Sequence, residues 1–301
     1  MDNNPSLREP TDKEKDTEYV PLVTIITVVL NFAKYVEMCI ESVLKQSYPH
    51  IEHIIIDGGS TDGTVDVLSS YCTKYPDRVR FISEPDEGAW DALNKGIRMA
   101  KGEIKGELGA DDILEPNVIQ LVVEFFKANP GAYVVFGDCN FINEQGEVIG
   151  RSRTKDFNFK RLINDKMYII GTSIYYKREV FEKIGLVNPL ACDFDFLIRA
   201  SKVFQINRID KVLSNFRAQK KWVLSGSEFD QLKAGIRDQY IVSRKYGGSI
   251  FSGYSRMYYG WLLIDWLRPI LQPVYPFLER ILEKKRYITI SSGLDYMSLK
   301  E

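Results

Sequence analysis

Residues 54–64 read IIIDGGSTDGT: three consecutive isoleucines end on Asp57, a glycine-rich turn follows, and helical spacing begins at Thr64. An apolar run this short, stopped by Gly58 and Gly59, is a strand buried on both faces, the condition of a parallel strand covered by helices. The flanks agree. Leu22 to Leu30 is a second such run, ended by Asn31, and residues 34–46 place Tyr35, Met38, Cys39, Ser42, Val43 and Leu44 at helical spacing before Ile51 to Ile56. That order is a β-α-β unit, whose parallel strands need cover on both sides.

The alternation continues toward the C-terminus. A helix is predicted over Thr64 to Tyr75, with Val65, Leu68 and Tyr71 on one face, and a short strand over Val79 to Ile82. After Glu84-Pro85-Asp86-Glu87-Gly88 come a helix at Ala89 to Met99, a strand at Ile104 to Leu108, the turn Gly109-Ala110-Asp111-Asp112 and a helix from Pro116 to Lys127. A strand at Tyr133 to Gly137 and a hairpin through Asn143 to Gly146 end the regular half. Beyond residue 150 the pattern loosens, with a strand expected at Tyr168 to Tyr176 and helices at Phe194 to Lys202 and Ser227 to Tyr246.

The 301 residues, 45% of them hydrophobic, are enough for one large domain or two of ordinary size. The net charge of -1 provides no general attraction for polyanions, so a nucleic-acid partner is not expected, and any phosphate must be bound locally. Four widely spaced cysteines and two histidines, without a CxxC, read as free thiols rather than a zinc site. Residues 1–19 are charged and polar, so a disordered leader without a signal sequence, and a cytoplasmic chain, are expected.

Three acidic groups stand where folding does not require them. Asp57 and the Asp111-Asp112 pair each fall where a buried strand gives way to a loop, which directs both toward one crevice at the carboxyl edge of the sheet. Adjacent carboxylates repel unless solvated or bound to a cation, and hard oxygen ligands select Mg²⁺ or Mn²⁺. A plain helix cap would also account for Asp111-Asp112, an Asx turn for Asp57, and a turn after Pro85 for Asp86.

The segments 22–32 (LVTIITVVLNF), 54–64 (IIIDGGSTDGT), 82–96 (ISEPDEGAWDALNKG) and 109–114 (GADDIL) resemble, in order and spacing, the successive motifs of the family 2 glycosyltransferases. The resemblance covers roughly residues 21–220. It implies a GT-A fold, an α/β nucleotide-binding half with a mostly parallel central sheet flanked by helices, joined to an acceptor-binding half. It also implies a hexosyl- or N-acetylhexosaminyl-transferase that usually inverts the sugar, in surface polysaccharide or glycolipid assembly, with UDP the favoured nucleotide on family grounds. Carried onto this chain, it makes Asp57 the residue that bonds the nucleobase, Asp86 a neighbour of the nucleotide, Asp111 the ribose ligand and Asp112 the ligand of Mn²⁺ or Mg²⁺.

An inverting transfer needs a base opposite the leaving group. Ala191 to Leu197 (ACDFDFL) resembles the segment that supplies it; Asp193 aligns best, but Cys192 replaces the usual acidic residue before it, which leaves Asp195 open. Both also suit the first turn of a helix. Arg217, followed by Lys220, Lys221 and Trp222, resembles the loop that closes over the donor pyrophosphate, although a charged surface loop would look similar. Lys105 and Glu107 depart from the apolar strand the family usually has, which implies either a wetter strand face or an unusual donor pocket.

The domains expected are therefore the leader (1–19), the catalytic domain (20–226) and a C-terminal helical region (227–301). In the last, Tyr258 to Leu282 is dense in aromatic and aliphatic residues but broken by Asp265, Arg268 and three prolines, short of the roughly 20 unbroken apolar residues of a spanning helix. It reads as an interfacial element with Lys284, Lys285 and Arg286 on anionic lipid, at the cytoplasmic face, or as helices packed back on the protein. Two rivals to the enzyme reading remain: a nucleotide-sugar-binding protein without turnover, and a sugar nucleotidyltransferase, which would show a glycine- and arginine-rich loop after its first strand. Val28 to Phe32 has none. The oligomeric state is not readable.

Overall fold

The computed structural model describes residues 20–165, 167–218 and 226–271. The leader, Lys220, Lys221, Trp222 and the cluster Lys284, Lys285 and Arg286 lie outside them.

The regular half follows the predicted order. β1 (Val23–Val29), α1 (Val36–Leu44), β2 (Ile51–Asp57), α2 (Thr64–Lys74), β3 (Val79–Ser83), α3 (Ala89–Met99) and β4 (Ile104–Gly109) alternate. Their strands pair in parallel in the order β3-β2-β1-β4. Every residue of β2 is buried, the isoleucines by the covering helices and the polar Glu52 and His53 with hydrogen bonds to Thr24 and Thr27 of β1. α1 and α2 cover one face through Val36, Ile40 and Leu68, with α4 (Val118–Ala128) beside them, while α3 covers the other through Ala92, Leu93 and Ile97.

The second half extends the same sheet. A two-residue strand, β5 (Ile113–Leu114), precedes α4; β6 (Val134–Ile142) and β7 (Val148–Ser152) form the expected hairpin, turning at Gly146 with φ 87°. Then come α5 (Phe159–Leu162), β8 (Ile174–Lys177), α6 (Arg178–Ile184), α7 (Cys192–Ser201) and β9 (Ile206–Arg217). The sheet continues from β4 through β8, β6 and β9 to β5, and β8 runs antiparallel to β4. The long strand expected at Tyr168 to Tyr176 is shorter than its apolar content suggested. Only Ile174–Lys177 pairs, because a 3-10 turn at Gly171–Ser173 interrupts it and Ile169 and Ile170 are buried by the loop instead.

Two helices end the described chain, α8 (Gly226–Lys245) and α9 (Gly253–Leu271). Here the expected broken element runs as one helix past Asp265, Arg268 and Pro269 to Leu271, and its remainder, with Pro273 and Pro276, lies outside the described residues. They pack on each other, with Tyr240 and Tyr258 stacked 4.4 Å apart, and on the rest of the protein, where Tyr254 meets Phe194 and Ser243 donates to the Ile163 carbonyl. Among the described residues no helix is long and apolar enough to cross a membrane.

Candidate active site

The turns after β1 and β2 are sewn together by side chains. Asn31, held at φ 59°, donates its N–H to Ser60 Oγ at 2.7 Å and accepts from Thr61 N at 2.9 Å. Phe32 N donates to Thr64 Oγ1 and Ala33 N to Asp62 Oδ2, each at 3.0 Å. Asp57 is buried at the end of β2, where it accepts from Gly59 N, Ser60 N, Ser60 Oγ and Ser83 Oγ. Burial would raise its pKa, but the bonds from Ser60, Ser83 and the backbone outweigh it and hold the carboxyl below the usual range. With four donors, its oxygens are committed to shaping the turn.

Asp86 stands across from that turn. A methyl group placed on Gly58 would lie 2.5 Å from Asp86 Oδ2, so this carboxyl occupies the space that a larger residue at position 58 would fill. Its other oxygen accepts from Gly88 N at 2.8 Å.

At the end of β4, Asp111 is half-buried and Asp112 only 2% exposed. Burial, then the charge of Asp111, push the Asp112 carboxyl up to about 8, against the opposing pull of Arg217. A buried carboxylate that cannot ionise alone at neutral pH suits a divalent cation, which supplies the missing positive charge. No group of three or more acidic, His or Cys side chains stands ready to hold a metal among the described residues. The pair therefore fits Mn²⁺ or Mg²⁺ only if water or diphosphate oxygens complete the shell, as these ions commonly allow.

Arg217, at the end of β9, is 1% exposed. Its backbone N–H donates to Asp112 Oδ1 at 2.8 Å, Nε to the Asp111 carbonyl at 2.9 Å, and Nη1 to the carbonyls of Asn143 and Glu144 at 2.7 and 3.0 Å. The guanidinium lies over the Tyr35 ring at 4.8 Å. The structure thus brings Arg217 to the Asp pair as a brace for the carbonyls around it, with Nη2 left unbonded.

The two candidate bases part company on α7. Asp195 is buried and points at its own supports: Arg199 Nε and Asn188 Nδ2 at 2.7 Å, and Tyr246 Oη at 3.0 Å. Burial opposes ionisation there, but these partners win and lower its pKa. Asp193 keeps solvent-exposed surface although protein surrounds its carboxyl, the situation of a group on a cleft wall. Burial, only partly offset by hydrogen bonds from Cys192 and Glu107, raises its pKa even at a helix N-terminus.

Lys105 and Glu107 resolve into an interior cavity rather than a wetter strand face. Lys105 is buried, donates to the Ile97 carbonyl at 3.1 Å and lies 5.0 Å from the Phe181 ring centre. Glu107 lies within electrostatic reach of both Asp112 and Asp193, so one strand end links the Asp pair to α7. Sequence reasoning passed over Asn94 of α3, which is buried and exchanges two hydrogen bonds with the Val187 backbone, at 2.9 and 3.0 Å. An isolated Asn on an amphipathic helix carries no sign of a partner 93 residues away.

Known proteins resemble this chain in sequence and in fold. The chain is 32% identical over 233 residues to a PGL/p-HBAD biosynthesis glycosyltransferase of Mycobacterium bovis, covering 74% of this chain and 84% of that protein. It is 29% identical over 198 residues to a chondroitin synthase of Escherichia coli, covering 65% of this chain but only 29% of the synthase, so it spans less than a third of that relative's length. In fold it matches the mannosyltransferase PcManGT of Pyrobaculum calidifontis, solved in complex with GDP-Man and Mn²⁺, with a TM-score of 0.56, 20% identity and coverage of 80% of this chain and 69% of that one. The fold is thus of the GT-A type expected. The sequence profile described as Glycosyl transferase family 2 matches residues 24–185, more than half of the chain, and the chain belongs to that family.

Proposed function

We propose that this chain transfers a hexosyl or N-acetylhexosaminyl group from a nucleoside diphosphate, UDP first among the candidates, to a hydroxyl of a saccharide or lipid-linked acceptor, with inversion. The observation that carries the reading is the line Asp112, Glu107, Asp193 at one strand edge, which sets a cation-demanding carboxylate beside a recessed candidate base. The similarity to a PGL/p-HBAD biosynthesis glycosyltransferase supports a place in glycolipid or surface polysaccharide assembly.

In this reading Asp57 shapes the nucleotide turn, and Asp86, with one oxygen outside the turn bonds, accepts the base's ring N–H. Asp111 takes the ribose hydroxyls and Asp112 the metal. Bound there, Mn²⁺ or Mg²⁺ offsets the charge gained by the departing diphosphate. Asp193 takes the acceptor's proton, because Asp195 is spent on Arg199, Asn188 and Tyr246. Lys220, Lys221 and Trp222 remain the proposed cover for the pyrophosphate. Exposed Phe251, Leu262, Leu263 and Trp266 favour contact of the C-terminal helices with a membrane surface on the cytoplasmic side.

The test is calorimetric titration with UDP, GDP and dTDP, with Mn²⁺ and then with chelator, beside Asp112→Ala. Binding of one nucleotide that needs both metal and Asp112 is the expected result, and metal-independent silence toward all three would end the proposal. Turnover of the matching nucleotide sugar then separates an enzyme from a binding protein, and the anomeric configuration of the product reads the stereochemistry.

A further inference from the structure

Glu107 is an acidic residue on a strand whose neighbours in sequence are apolar or glycine, and family resemblance gives it no task. Its side chain shares a cavity of about 30 Å³ with Asp193, walled by Ile26, Leu93, Phe181 and Phe196. The two carboxyls meet above Gly171. A methyl group placed there would overlap Glu107 Oε1 and lie 2.7 Å from Asp193 Oδ2, so the absence of a side chain at 171 makes room for both.

The described surroundings offer this pair little positive charge. Among the described residues, neither carboxyl forms an ion pair with Lys or Arg. Lys105 is one pleat away on the same face, with its Nζ on the Ile97 carbonyl. Among the described residues, Cys192 on α7, Asp112 beyond β4, Tyr176 on β8 and Tyr168 in the preceding loop also act on the two carboxyls, and all are neutral or negative. Two carboxylates this close, between apolar walls, do not both ionise.

We propose that Glu107 and Asp193 share one proton above Gly171, so that Glu107 is the positioning residue that sets the orientation and proton affinity of the base Asp193.

The proton rests on Glu107. Burial, then the charge of Asp193 and the hydrogen bond to it, raise the Glu107 carboxyl well above the usual range, with Asp112 adding to the effect. Protonated Glu107 therefore donates to the Asp193 carboxylate. During transfer, the acceptor oxygen forms its bond to the anomeric carbon as the bond from that carbon to the diphosphate oxygen breaks. The bonding electrons leave with the diphosphate, and the acceptor proton passes to Asp193. The pair then holds two protons and no charge, and Asp193, open to solvent, returns one of them. The catalytic part of this account rests on the proposed function; the proton-sharing does not, and it is tested without substrate.

A glutamic acid that keeps its proton in the native state but loses it when unfolded, at a pKa of about 4.3, lowers stability as pH rises between the two values. Glu107→Gln keeps the shape and a donor for Asp193 but cannot ionise. Its melting temperature should equal that of the wild type near about pH 4 and exceed it by roughly 2–4 °C near about pH 8. In an Asp193→Asn background the same substitution should give a smaller pH-dependent difference, because the charge that raises Glu107 is gone. Equal pH dependence of wild type and Glu107→Gln overturns the proposal, as does an unchanged difference in the Asp193→Asn background, which would leave burial as the whole cause. Should Glu107→Gln fail to fold, Asp193→Asn alone reports the pair, since it should flatten the wild-type decline in melting temperature. A confirmed pair in a protein that transfers no sugar would refute the proposed function and leave the shared proton standing.

Discussion

Asp112 accepts the backbone N–H of Arg217 at 2.8 Å, across 105 residues of sequence. The guanidinium of the same residue continues the tie to the carbonyls of Asp111, Asn143 and Glu144. Arg217→Ala should therefore destabilise the protein by about 2–4 kcal/mol, since it removes a buried side chain and leaves three partly buried carbonyls without that donor. Denaturant unfolding measures this. A variant as stable as the wild type but weak in nucleotide binding would instead assign the arginine to phosphate.

The Asp112 carboxyl, raised to about 8 by burial and by Asp111, competes between proton and cation. Its native pKa lies above the unfolded value of about 3.9, so without metal it lowers stability as pH rises through that window. Mn²⁺ affinity should climb up to tenfold per pH unit toward about pH 8 and then level off. Asp112→Asn should abolish the gain in melting temperature on adding Mn²⁺. A flat affinity between about pH 6 and 8 would remove Asp112 from the metal site.

Asp193→Asn and Asp195→Asn should fail in different ways. The first removes a carboxyl on the cleft wall that ties no other helix in place, and should cut turnover by about a hundredfold or more with little loss of stability. The second loosens the tie from α7 to Tyr246, just past the end of α8, and should cost about 2–4 kcal/mol. The lowered pKa of Asp195 adds a pH signature: its contribution is present above the unfolded value near 3.9 and fades as pH falls through the native one. Turnover by Asp193→Asn at the wild-type rate would return the choice of base to Asp195.

Gly171→Ala intrudes on both members of the carboxyl pair. The side chain that must yield is the flexible end of Glu107, so folding should survive, while turnover falls about tenfold or more through misplacement of the base. Nucleotide affinity, measured by calorimetry, should stay within a few fold of wild type. Loss of both together would mean that the turn at 171 serves the donor side too.

The regular half of the fold was legible because a parallel strand covered on both faces is buried along its length and mostly apolar, as β1 and β2 are apart from a few buried polar residues such as Thr27 and His53, and α3 begins and ends where its pattern predicts. β9 was not. Its sequence, INRIDKVLSNFR, mixes buried and open positions irregularly, since its pairing with β6 slips in register on both sides of Asp138. At the site, the acidic positions could be read from sequence, but the donors around them could not. The four partners of Asp57 and the supports that separate Asp195 from Asp193 depend on packing between distant segments. Glu107 stood out only as a charge in the wrong place, because its partner lies on α7, 86 residues further along the chain.

β8 is hydrogen-bonded to β4 on one side and to β6 on the other, so the alternating half and the half that follows it share a single continuous sheet. Among the described residues no hinge separates them. A sheet shared in this way resists clamshell opening, which leaves movement to the loops at its rim, and the two halves should melt as one cooperative body.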